Sequence, residues 1–80
     1  MVKINLTEEQ RMALIRCIPR GAISRTAAKH GVTRGAVWEA ITPRSSGNYQ
    51  ARYILSLRNE AMLNMAAYPE MVGLLKTIQL

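Results

Sequence analysis

In "GVTRGAVWEAITPRSSGN", residues 31–48, Arg34 and Trp38 stand four positions apart, a spacing that puts a guanidinium and an indole on one face of a helix. The guanidinium fork fits two acceptors at once, such as O6 and N7 on a guanine edge or the oxygens of a phosphate. The indole offers an apolar plate. Thr33 and Gly35 flank the arginine, one with a hydroxyl and the other with no side chain to keep a ligand away. Glu39 can accept from cytosine N4, pair with a local cation, or face water. This is the chemistry of recognition by contact, with no bond made or broken.

Groups suited to anions surround that stretch. Ser24, Arg25 and Thr26 stand where a short helix is expected to begin, and Arg44, Ser45, Ser46 and Asn48 lie in the turn-rich "PRSSGN". Hydroxyls and helix N-termini bind phosphate without specifying sequence, although capping alone is a sufficient role for each serine and threonine. Eleven Lys/Arg face five Glu and no Asp, for a net charge of +6. Residues 1–44 carry eight of the cations and three of the acids, so the excess is concentrated there. Such polarity favours a polyanionic partner.

Catalysis is poorly supplied. His30 and Cys17 are the only residues of their kinds and Asp is absent, so neither a triad nor a dense metal site assembles, and the glutamates are scattered. "RGAISRT" lacks the Gly-Lys-Ser/Thr of a phosphate-cradling loop. No enzyme, cofactor, metal or small-molecule ligand is expected. Cys17 reads as a small buried hydrophobe in a reducing compartment, and His30 as a helix-ending residue. No stretch approaches the ~20 apolar residues of a membrane span, and "MVKINLTEEQ" lacks the apolar core of a signal peptide. A cytoplasmic chain without membrane association is expected.

The elements that position these groups are helical. Eighty residues suit a single domain, 1–80, in which only about 60–65% of the unfolded surface is buried. Thr7 with Gln10 has the spacing of a capping box, opening a first helix over 7–18 with Met12, Leu14, Ile15 and Ile18 as its apolar stripe. Ser24 is expected to cap "RTAAKH", which Gly31 closes; Thr33 caps "RGAVWEAI", which Pro43 ends. A stripe through Tyr53, Ile54, Leu57, Ala61, Met65 and Tyr68 predicts a helix over 48–67, and Pro69 opens a last one over 69–78. No strand alternation is convincing; "NYQARYIL" has strand-like residues but continues at helical period. The expected fold is all-α, a compact bundle of about five helices.

Residues 23–42 resemble the helix-turn-helix motif of the phage repressor and Cro-type DNA-binding family. Ala27 falls where that motif needs a small side chain, Gly31 at its turn, Val32 at the following apolar site, Val37 inside the second helix, and Ala40-Ile41 at its apolar end; Thr33 matches the usual cap. The resemblance implies a bacterial or phage-encoded, nucleoid-associated, repressor-like regulator of transcription that inserts helix 33–41 into the major groove of double-stranded DNA. Thr33, Arg34, Gly35, Trp38 and Glu39 would then face bases, with Ser24, Arg25, Thr26, Arg44, Ser45, Ser46 and Asn48 toward phosphates. Cro continues into a β-hairpin, whereas helical periodicity here implies all-helical relatives. A homodimer through the C-terminal helices would span two half-sites ~34 Å apart. Trp38 has three placements open to it: a thymine methyl or sugar, the 44–50 loop, or a second subunit. The alternative function is a helical interaction module that grips a partner through the apolar "PEMVGLLKTIQL" without sequence-specific DNA binding. That segment can equally close the chain's own core.

Overall fold

Thr7 turns the chain into its first helix, and both halves of the capping box form. Thr7 Oγ1 accepts from the Gln10 N–H at 3.1 Å, and the Thr7 N–H donates to Gln10 Oε1 at 2.8 Å. The computed structural model describes residues 2–64 and 67–79. Along the chain run β1 (Lys3–Asn5), α1 (Glu8–Cys17), α2 (Ala22–His30), α3 (Arg34–Ala40), β2 (Asn48–Gln50), α4 (Ala51–Met62), a 3₁₀ turn (Pro69–Met71) and α5 (Val72–Lys76). The helical bundle expected from the sequence is present, with a small two-stranded sheet added.

That sheet corrects the expected start of the fourth helix. Lys3 pairs with Gln50, Ile4 with Tyr49 and Asn5 with Asn48, antiparallel, and the ladder continues through Leu6 N–H to Gly47 O at 2.9 Å. Ile4 and Tyr49 point into the core while both neighbours of Ile4 stay exposed. The three-residue alternation of "NYQ" was too short to outweigh the helical period that follows it, and its partner strand lies at the far N-terminus. The helix also ends sooner than expected, at Met62. Asn64 instead turns back, and its Nδ2 donates to the carbonyl of Cys17 at 3.0 Å, satisfying an end of α1. Met65, placed on the apolar stripe by its spacing, lies outside the described residues.

The core gathers fully buried side chains from every layer: Leu14 and Cys17 of α1, Val37 and Ile41 at α3, Tyr49 of β2, Ile54 and Leu57 of α4. Leu75 and Ile78 of the C-terminal segment complete it, so that segment's innermost apolar side chains close the chain's own interior. Each such burial stabilises by about 1.5–3 kcal/mol relative to exposure. Arg58 Nη1 donates to Ile78 O at 2.8 Å and Gln10 Nε2 to Thr77 Oγ1 at 2.8 Å, pinning the same segment to α4 and α1.

α1 presents a different face to the core than its hydropathy implies. Its buried residues are Arg11, Ala13, Leu14 and Cys17, whereas Met12 is exposed and Ile15 and Ile18 are half-buried. A buried arginine is tolerated here because its donors are met: Nε and Nη2 reach the Glu8 carboxylate at 3.0 and 2.6 Å, and Nη1 reaches Ile41 O at 3.0 Å.

Candidate nucleic-acid interface

α2 and α3 pack directly on each other across a short turn. α2 starts at Ala22, so Ser24 is not its N-cap. Gly21 takes that place at φ +86°, its carbonyl accepting from Arg25 N–H at 3.0 Å. The tight Pro19-Arg20-Gly21 turn, closed by Ala22 N–H to Pro19 O at 3.1 Å, feeds straight into the helix and moves its start forward. Ser24 lies instead, exposed, within the first turn, where backbone N–H groups lack intrahelical acceptors. At the other end Gly31, at φ +65°, adopts the left-handed conformation that a β-carbon disfavours, and Val32 N–H closes back on Ala27 O at 3.0 Å.

Thr33 caps α3, its Oγ1 accepting from Ala36 N–H at 3.1 Å, which leaves its own O–H free to donate outward. Val37 and Ala40, with Ile41 at the C-cap, form the buried side of α3. Ala27, buried on α2, keeps the facing surface small. With those fixed, Thr33, Arg34, Gly35, Trp38 and Glu39 are all exposed. Arg34 is the first residue of the helix, and among the described residues it forms no ion pair. Trp38 is 52% exposed, and its ring lines a groove with Arg34 and the end of α1.

The loop after α3 is anchored from both sides. Arg44 N–H donates to the hydroxyl of buried Tyr49 at 3.2 Å, and Arg44 Nη2 donates to Glu39 O at 3.4 Å. Thr42 Oγ1 donates to Trp38 O at 3.1 Å. Ser45, Ser46 and Asn48 stay exposed, with Asn48 N–H donating to Ser46 Oγ at 3.3 Å.

Of the phosphate-facing set, Arg25 is paired within the fold and Thr26 is buried. Arg25 grips Glu60 of α4 through Nε and Nη2, both at 2.8 Å, and holds the Glu60 carboxyl below its ordinary range. Its charge is thereby largely neutralised within the fold. Thr26 is buried on the inner side of α2 and does not face solvent. Ser24 and Arg25 keep the expected exposure, with Arg25 held in its ion pair. His30 does more than end α2: Nε2 shares a hydrogen bond with Ser56 Oγ at 2.9 Å, and the ring meets Tyr53 edge-on at 5.2 Å, joining α2 to α4.

Sequence reasoning missed two cations. Arg20, counted only toward the local charge, lines the same groove as Arg34 and Trp38. Arg11 fixes the C-terminal end of α3 from below. The i, i+3 spacing of Glu8 and Arg11 signals their pairing, but nothing local names Ile41 as the third partner.

The exposed surface around α3 is therefore cationic and apolar. Among the described residues no group of three or more His, Cys, Asp or Glu is placed to hold a metal, and no helix is long and apolar enough to cross a membrane. The Cys17 thiol is pushed up from its ordinary value, chiefly by burial, which leaves it a packing residue with little thiolate character. No protein-family model, curated protein or solved structure matches the chain.

Proposed function

We propose that the protein is a sequence-specific double-stranded DNA-binding protein, a small repressor-like regulator that inserts α3 into the major groove. The observation that carries this reading is Arg34. It is an exposed guanidinium, unpaired among the described residues, on the first turn of a helix whose opposite side is sealed by Val37, Ala40 and Ile41. The N-terminal residues of a recognition helix are the ones that reach base edges, and Arg bidentate to guanine is the commonest specific contact.

Around it, Thr33 and Ser24 supply a free O–H and a first helical turn, and Arg20 and Arg44 supply charge for phosphates on either side of α3. Ser45, Ser46 and Asn48 extend that edge through the loop. Gly35 admits a close backbone approach, Glu39 serves cytosine or solvent, and Trp38 offers its exposed ring to sugar or thymine methyl. A cytoplasmic, nucleoid-associated site of action belongs to this reading. So does a homodimer, although Leu75 and Ile78 pack inside the chain's own core. A dimer through the 3₁₀ turn and α5 would use the half-buried Met71, Val72 and Leu74. The same burial favours DNA binding over a module that grips partners by its C-terminal helix.

The test is binding to duplex DNA across a salt series. Affinity should fall steeply with salt, and Arg44→Ala should weaken binding uniformly and reduce the logarithmic salt slope by about 1. A chain that binds no duplex at low salt, or whose affinity ignores salt, does not fit the proposal.

A further inference from the structure

In the row Met12–Ile15–Ile18, which helical spacing assigns to the core, Met12 is exposed and Ile15 and Ile18 pack against the core while staying only half-buried. Ile15 and Ile18 line a groove of about 330 Å³ together with Ile23, Trp38 and Arg34. Trp38 is 52% and Met12 44% exposed, with Met12 one turn before Ile15 on the same side of α1. Scattered apolar exposure needs no explanation, but a continuous apolar groove rimmed by polar groups marks a docking surface.

Charge selects the occupant. Arg20 and Arg34 both line the groove and no acid does; among the described residues neither arginine is in an ion pair. A second copy would set the same cations against themselves on a chain carrying +6. A duplex satisfies the arginines, yet its stacked bases present hydrogen-bonding edges and isolated methyl groups, which leave the apolar space between Ile15, Ile18 and Trp38 empty. An amphipathic helix with acidic flanks satisfies both demands.

We propose that this groove docks an acidic amphipathic helix of another protein. Leu or Phe side chains of that helix fill the space against Trp38 and Ile18, and its carboxylates meet Arg20 and Arg34. Arg34 and Trp38 also belong to the DNA-facing surface, so the docked helix and duplex DNA exclude each other. That exclusion rests on the DNA-binding reading; docking of the helix does not.

Trp38 is the single tryptophan, so its emission reports on the groove directly. The probe is a synthetic helix with leucines at three- and four-residue spacing and glutamates elsewhere, compared with a scrambled peptide of the same composition. The amphipathic peptide should shift Trp38 emission to shorter wavelength and the scrambled one should not. Arg20→Glu, an exposed change that spares the core, should weaken peptide binding by about tenfold or more. Ile18→Glu should do the same, with circular dichroism used to verify its fold.

Equal binding of both peptides, or unchanged binding in Arg20→Glu, overturns the proposal. A blue shift produced by self-association in the absence of peptide assigns the groove to a second copy and also overturns it. Peptide binding in a chain that binds no duplex sustains the docking site while the DNA reading fails. Duplex binding without peptide binding does the reverse.

Discussion

The guanidinium of Arg11 donates to the carbonyl of Ile41 at 3.0 Å, joining the middle of α1 to the C-cap of the helix that carries Arg34 and Trp38. The cation meets the negative end of α3, and Glu8 accepts from its Nε and Nη2. This bond and the Gly31 turn fix the two ends of α3, so its outward face is set by groups that lie beneath it.

Arg11→Met should therefore destabilise the fold by about 1–3 kcal/mol, the range for leaving a buried acceptor without its donor. Urea unfolding would show this as a lower midpoint at unchanged slope. Arg11→Lys should lose less, since an ammonium keeps the charge but not the three-way fork. A Met variant within about 0.5 kcal/mol of wild type, the ordinary range for a surface change, would mean that Arg11 does not anchor α3.

Two glycines at either end of the α3 entry should respond with opposite signs. Gly31→Ala places a β-carbon at φ +65° and should cost about 1–2 kcal/mol even though the space around it is open. Gly35→Ala meets only Thr33 Oγ1 at 3.8 Å and should stabilise α3 by up to about 1 kcal/mol. Thermal melts of the two variants give the comparison. If DNA approaches the α3 backbone closely, Gly35→Ala should also weaken duplex binding while it raises Tm.

Acid should weaken the tie between α2 and α4. The hydrogen bonds from Arg25 hold Glu60 below its ordinary value of 4.5, and Arg11 does the same to Glu8. A carboxyl lowered by folding contributes stability that is fully present above its unfolded value and is lost as pH falls through the folded one. Stability should therefore decline as pH drops below about 4.5. Arg25→Ala should flatten that decline, and the two proteins should converge once Glu60 is protonated in both. Parallel curves from pH 7 to pH 2 would argue against this linkage.

Cys17 offers a probe of the core that leaves the interface untouched. Its buried thiol, raised above its ordinary value, should resist iodoacetamide in the folded chain and react at the rate of an ordinary cysteine in urea. Rapid native labelling would contradict the packing described around Leu14 and Cys17.

The features legible in the sequence are those whose partners lie within one helical turn. The Thr7–Gln10 capping box, the Thr33 cap, the Gly31 turn and Pro69 at the start of its turn all formed as their local chemistry dictates. Arg34 and Trp38 share an exposed face because a four-residue spacing is itself local. What escaped depends on distant residues. The strand at 48–50 needs its partner at 3–5, the buried face of α1 needs a carbonyl 30 residues away, and Arg25 pairs with a glutamate 35 residues on. Hydropathy ranks Met12 inward and Arg11 outward, an order reversed where Arg11 meets both Glu8 and the distant Ile41 carbonyl.

Selection of duplexes from a random DNA pool, run in parallel with wild type and Arg34→Ala, tests the account most directly. Wild type should enrich a defined site containing a guanine that Arg34 reads. The variant should lose preference at that base pair by about 1–3 kcal/mol and keep the rest of the site. No enriched sequence from wild type, or the same site at the same preference from both proteins, would contradict α3 as a DNA-reading helix.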